Sequence, residues 1–331
     1  MARAGAILFL VLLATAPNAA GPQRRGGAPS REQDSPFVLG VLRRDGLVLP
    51  FAVFNGRRWE MPWPADFVYR ELPISLDDID RTWWGRATPP KILTLWHDGK
   101  PRGELTLTAP AFVQLHCGSR RFGIRTNYHA AELPPPPTEL PYPKDGLVVS
   151  GDQRIEAIET LPKDSPAFRE TAAAIGEEFN DEENFASTSF TAWRHPVPKA
   201  DRAKLPIEIE TLYRAPMDEP GWTAYYFEAV KKYPPGPQDG GCGLLTAARG
   251  WLRTGPKGEK RTELGAQITY CDRFGLSYIL PLGLIRVGGS TYWVYQLAGY
   301  QNESYAVVRP TPREIQRAVG FVAGFCPMPF R

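Results

Sequence analysis

Two dipeptides near the start of the chain, Asp45-Gly46 and Asn55-Gly56, constrain its fold most. Each lies between apolar runs: FVLGVLRR precedes the first, LVLPFAVF separates the two, and RRW follows the second. Asp-Gly and Asn-Gly favour the two-residue turn of a β-hairpin, because both central positions of that turn need positive φ. The stretch therefore reads strand, turn, strand, turn. Along Leu47 to Phe54 both alternating sets are apolar, so the second strand is expected to be covered on both faces. Pro50 cannot donate to a ladder and marks an edge or a bulge there.

The same logic extends through the chain. Its 31 Gly and 34 Pro residues are scattered and not clustered, which calls for many short elements joined tightly. Further strands are expected at KILTLW, ELTLTA, FVQLHC and RRFGIRT, with His97-Asp98-Gly99 as a turn. Ile207 to Arg214 alternates like a strand, and Thr223 to Tyr233 starts as one. From Leu264 to Arg309, LGAQITYC, LSYILPLGLIRV, STYWVYQLAGY and SYAVV read as an antiparallel meander rich in β-branched and aromatic residues.

Two helices are expected. In the first, Asp164 or Ser165 is the cap, Pro166 fits the first turn, and Phe168, Ala172, Ile175 and Phe179 form the apolar stripe. It ends in an acidic stretch, Glu177, Glu178, Asp181, Glu182 and Glu183, read as a solvated helix end. The second has Thr311 as cap, Pro312 in the first turn and Glu314 completing a capping box, with Ile315, Val319 and Val322 buried. Ser75 caps a single helical turn at SLDDID. The fold class is thus mainly β (α+β): antiparallel sheets of hairpins plus a C-terminal meander, with about two helices packed on them.

The first twenty residues have the layout of a signal peptide: Arg3, then an apolar run from Ala4 to Ala16, then Ala19 and Ala20. The run is short for a membrane span, and no later apolar run reaches spanning length. Residues 21–35 are expected to be a disordered lead-in. An N-terminal β module over 36–132 and a C-terminal α+β module over 146–331 are expected on either side of a Pro-rich connection, 133–145. Four consecutive prolines there, Pro134 to Pro137, impose an extended path. The expected location is secreted or periplasmic. Net charge is +3, and the basic pairs are isolated, which argues against nucleic acid as a partner.

Four Cys in an exported chain point to disulfides. Cys242 with Cys271 is the first pairing expected, which leaves Cys117 with Cys326 or both reduced. His97, His116, Cys117 and His129 lack the ligand spacing of a zinc site, and adjacent His116 and Cys117 face apart on a strand. A Cys117–His dyad lacks a helix N-terminus to activate the thiol. There is no G-x-S-x-G, no phosphate-binding Gly loop and no EF-hand pattern. Asn302-Glu303-Ser304 is a glycosylation sequon. No metal and no cofactor is expected.

Trp59, Trp63, Trp83 and Trp84, with Trp96, cluster in the first module. They are the candidate aromatic binding surface, with core packing as the plain alternative. The function expected first is a non-catalytic envelope or extracellular binding or structural role, toward a ligand the sequence leaves open. The alternative is a secreted hydrolase acting on a polysaccharide or peptide polymer, drawing its acid and base from scattered carboxylates or histidines.

Overall fold

The computed structural model describes residues 34–64, 73, 75–114, 120–129, 146–189, 194–234, 243–273, 275–299 and 302–325. All fall within one compact unit, Gln33–Arg331. Strands dominate. The first group is β1 (Phe37–Leu42), β2 (Leu47–Phe54), β3 (Trp59–Glu60), β4 (Ile92–His97), β5 (Lys100–Gln114), β6 (Arg120–Thr126) and β7 (Gly146–Val149). The second is β8 (Ile155–Glu156), β9 (Glu159–Thr160), β10 (Glu208–Pro216), β11 (Thr223–Lys232), β12 (Leu244–Thr254) and β13 (Lys260–Tyr270). The last is β14 (Ser277–Val287), β15 (Ser290–Gly299), β16 (Asn302–Pro310) and β17 (Ile315–Phe325). The α-helices are α1 (Pro166–Thr188) and the one-turn α2 (Lys199–Arg202).

Strands β1, β7, β4, β5, β6 and β2 pair in that order, and β2 also pairs with β1, so the six close into an antiparallel barrel. Closure removes the unpaired edges an open sheet would carry. Both dipeptides lie in hairpin turns, but the connections are four residues long, 43–46 and 55–58, and only the glycine takes positive φ, Gly46 at +77 and Gly56 at +90. Every residue of β2 is buried, because Val48 faces the barrel interior and Leu47, Leu49 and Phe51 face outward into a second layer. The ladder beside Pro50 carries a register shift between Leu39 and Gly40, which is the bulge Pro50 implied.

Three further layers stack on the barrel. Its outer wall packs on a middle sheet, ordered β17-β16-β15-β14-β8, through Leu39, Phe51, Leu147, Ile285, Val307 and Phe321 among others. The far face of the middle sheet packs on an outer sheet, β13-β12-β11-β10-β9, through Trp293, Trp251, Tyr226 and Leu284. The far face of the outer sheet is covered by α1, through Phe168, Ile175, Phe179, Leu212 and Phe227. Each fully buried aliphatic side chain contributes ~1.5–3 kcal/mol, so the apolar seams carry most of the stability.

Three expectations are corrected. The C-terminal helix is absent: residues 315–325 form strand β17, paired antiparallel with β16. The expected cap survives as a turn, in which Thr311 Oγ1 accepts from the Glu314 N–H at 3.1 Å and closes the β16–β17 hairpin. The acidic stretch is not a solvated helix end throughout: α1 runs 23 residues, and Glu183 lies one turn beyond Phe179 on the same buried stripe. The meander divides: β13 pairs with β12 in the outer sheet, and only β14 to β17 continue as a meander in the middle sheet. The chain changes sheet between Tyr270 and Ser277. The Pro-rich stretch, 133–145, lies outside the described residues, but β7 directly after it enters the barrel between β1 and β4.

Candidate functional site

The change of sheet creates the site. Thr211, Glu228, Arg249 and Gly265 stand side by side across β10, β11, β12 and β13. The neighbouring row on the same face is Val230, Ala247 and Gln267. Side chains two apart on a strand share a face, so these rows look toward the middle sheet, like Tyr226 and Trp251 further along. Ala247 and Gly265 are too small to fill the space above them. Arg273, Leu276, Ser277 and Tyr278 of the crossover close it from the other side as a roof. Between floor and roof lies a cavity of about 250 Å3.

A bulge supplies one wall. Between Ile209 and Thr211 the β10–β11 register shifts, leaving Glu210 without a cross-strand partner. Such bulges re-aim a side chain. Glu210 turns to the cavity and holds Arg273 through two bonds, Nη1 to Oε2 at 2.6 Å and Nη2 to Oε1 at 2.5 Å. Arg273 has φ +58, a backbone conformation unusual for a side-chain-bearing residue, and the paired fork fixes it there. Hydrogen bonding to Glu210 pushes its pKa further up, so Arg273 stays charged.

Glu228 is the central group. Its Oε1 accepts from the Ile279 N–H at 3.0 Å, and Thr211 also bonds it. Burial nevertheless dominates, with the Glu210 charge adding to it, and its pKa is pushed up to about 7. The neighbouring Tyr213 and Tyr226 phenols are pushed up by burial first and by the Glu228 charge second, so they remain neutral. Arg249 beside Glu228 is exposed and donates Nη1 to the Ser277 carbonyl at 2.5 Å. Gln267 and Tyr278 complete the polar lining.

A second polar cluster is sealed. Glu183 on α1 and Lys231 on β11 are 1% and 0% exposed. Lys231 Nζ donates to Glu183 Oε2 at 3.2 Å and to Asn180 Oδ1 at 2.6 Å. Arg202 of α2 donates to Glu183 at 3.4 Å and to Asn184 at 2.8 Å, and the Tyr233 hydroxyl donates to Glu183 in a short contact. The His195 ring meets Tyr233 edge-on at 4.6 Å. Burial pushes Lys231 down, while the Glu183 charge opposes that. This network ties α1 and the segment after it to the outer sheet.

The Trp cluster is core and not surface. Trp63 and Trp84 are buried with Trp83 half-buried against Trp63, while Trp59 is buried apart from them against Phe37, Phe54 and Tyr292. Trp63 meets Trp84 edge-on at 4.9 Å and donates its indole N–H to the Phe122 carbonyl at 2.7 Å. Large rings bury much apolar area at the end of the barrel, which decides their place. His97 ends β4 and His129 is exposed after β6, while His116 lies outside the described residues. Among the described residues, no group of three His, Cys, Asp or Glu side chains is placed to hold a metal ion. Cys271 is disulfide-bonded, and its backbone N–H donates to the Gly243 carbonyl at 3.1 Å. Cys117, Cys242 and Cys326 lie outside the described residues. No helix among the described residues is long and apolar enough to cross a membrane.

Sequence reasoning did not find Glu210, Glu228, Arg249 and Arg273. They are separated in sequence and meet only through strand register. One local signal was present: Glu228 interrupts an otherwise apolar set, Ala224, Tyr226 and Val230, on one face of its strand.

Fold and site together define a mainly antiparallel β protein of stacked sheets on a closed barrel, with a charged cavity at the strand crossover. No family model, curated protein or solved structure matches the chain.

Proposed function

We propose that this chain is an exported, non-catalytic binding protein of the envelope or extracellular space, with the crossover cavity as its ligand site. The observation that carries the reading is the set of charged and polar groups already held in place around open space. Glu210 and Arg273 hold each other, Arg249 is braced by the Ser277 carbonyl, and Glu228 is braced by Ile279 and Thr211. Groups fixed before a ligand arrives favour recognition, because little order has to be gained on binding. The signal-peptide layout of residues 1–20 supports export. The Cys242–Cys271 pairing belongs to this reading, since Cys271 faces Gly243 in the ladder. It would brace the start of the roof.

A second reading, a hydrolase acting on a sugar or peptide polymer, is favoured by one observation. Glu228 exchanges its proton at about 7, where a general acid is most useful, and it shares the cavity with Glu210.

One experiment separates the two. Mono- and disaccharides and di- and tripeptides are followed by NMR with the wild-type chain, Gly265→Leu and Glu228→Gln. Gly265 has open space where a Cβ would stand, so leucine fills the cavity without a clash. Binding without cleavage, lost in Gly265→Leu, is the expected result. Cleavage abolished by Glu228→Gln would replace it with the hydrolase. Binding that Gly265→Leu leaves intact would move the site elsewhere.

A further inference from the structure

The chemistry of the cavity narrows the class of ligand, and this step rests on the binding reading above. Its charges do not cancel evenly. Arg273 and Glu210 neutralise each other in a two-bond pair. Arg249 has no such partner: one N–H meets the Ser277 carbonyl, and the rest of its exposed guanidinium makes no hydrogen bond within the described residues. Its cross-strand neighbour is Glu228. The carboxyl of Glu228 is held on one side by the Ile279 N–H and Thr211, and it lines the cavity. A planar guanidinium beside a carboxyl group is a complementary surface for a single carboxylate, which takes two parallel bonds from the first and one from the second. A dianion is disfavoured, because its second charge would face Glu210 and Glu228 with no cation left to meet it. A neutral ligand would leave the Arg249 fork without a partner.

We infer that the cavity receives a ligand bearing one carboxylate, bound by the fork of Arg249 with a further hydrogen bond from the Glu228 carboxyl group. The size of the cavity restricts that ligand to about one sugar or amino-acid unit, free or at the end of a longer chain. Binding is then linked to pH. Below about 7, Glu228 carries the proton it donates. Above it, the ionised carboxylate repels the ligand. The groups that face Glu228 fit this behaviour. Glu210 opposes its ionisation and Arg249 favours it, while Tyr213, Tyr226 and Tyr295 remain neutral phenols.

The test is calorimetry on the full mature chain at pH 6 and pH 8. D-Glucuronate is paired with D-glucose, and N-acetylglycine with N-acetylglycinamide, so that each acid has a neutral counterpart. At least one acid is expected to bind about ten-fold or more tightly than its counterpart at pH 6, and to weaken at pH 8. Which acid does so distinguishes a sugar acid from a peptide terminus. Arg249→Met is expected to abolish the preference, and Arg249→Lys to restore part of it. Arg249 is exposed, so both variants should fold. Glu228→Gln is expected to bind with an affinity that no longer changes between pH 6 and pH 8. Equal binding of acid and neutral partner, no binding of either acid, or tighter binding of inorganic phosphate than of both acids would overturn the assignment. If neutral partners bind equally and Gly265→Leu abolishes that binding, the cavity remains a ligand site and only the carboxylate class falls.

Discussion

At the scale of single residues, Glu228 and Lys231 show two fates of a charge on one strand. Glu228 faces the cavity and holds its proton to about 7 against an ordinary value of 4.5. The folded state thus binds that proton more tightly than the unfolded chain does. The sign follows from linkage: stability from this group is fully present below about 4.5 and is lost as pH rises through about 7. Glu228→Gln removes the titration. It is expected to raise stability at pH 8 by on the order of 2–3 kcal/mol and to change it little at pH 4, measured by urea unfolding. No gain at pH 8 would mean that Glu228 is solvated. Three residues on, Lys231 points the other way, into the sealed cluster with Glu183. Lys231→Met leaves Glu183 buried with less compensation, and a loss of about 3 kcal/mol is expected at neutral pH. A double variant with Glu183→Gln should lose less than the two single losses added together, since the pair shares one interaction.

At the scale of elements, local chemistry was legible and long-range pairing was not. Asp45-Gly46, Asn55-Gly56 and Gly288-Gly289 announce hairpin turns, and each lies in one, although both residues take positive φ only at Gly288-Gly289. Ser165 and Pro166 announce the start of α1 for the same reason. Its end was misplaced: the stripe of Ile175 and Phe179 continues through Glu183 and Ser187, whose partners Lys231 and Arg202 come later in the chain. The stretch after Thr311 carries two periods at once. Ile315, Val319 and Val322 fit a helix, while Val319, Phe321 and Ala323 fit one face of a strand. The second wins because β16 offers a ladder and the barrel wall buries that face, leaving Val322 exposed. The cavity was illegible for the same cause, since its four charged residues meet only once the β10–β13 register is known. A glycine couples the sheet elements. Gly283 in β14 has φ +152, and a Cβ there would stand 2.3 Å from Ile155 Cγ2 on β8. Gly283→Ala is expected to cost more than ~1 kcal/mol, from strain and overpacking together, read as a lower denaturation midpoint with an unchanged slope.

At the scale of the whole molecule, four layers share three seams, and the chain changes sheet where the middle seam opens. The apolar packing of Trp251, Trp293 and Tyr226 fills one end of that seam, while Glu228, Arg249 and the crossover segment hold the other end open. The roof is held at Arg273 by Glu210. Peptide mapping of the unreduced, exported protein is expected to link Cys271 to Cys242 and to find a first residue at position 20 or 21. A Cys271–Cys117 or Cys271–Cys326 link would contradict the pairing. The central claim is that this crossover cavity is where the protein meets its ligand. Amide NMR of the labelled chain, titrated with the carboxylate that binds best, tests it most directly. The account predicts shifts concentrated at Glu228, Arg249, Gly265 and Ser277, absent in Gly265→Leu. Shifts centred instead on Trp83 and the barrel end, or on the Glu183 cluster, would contradict it.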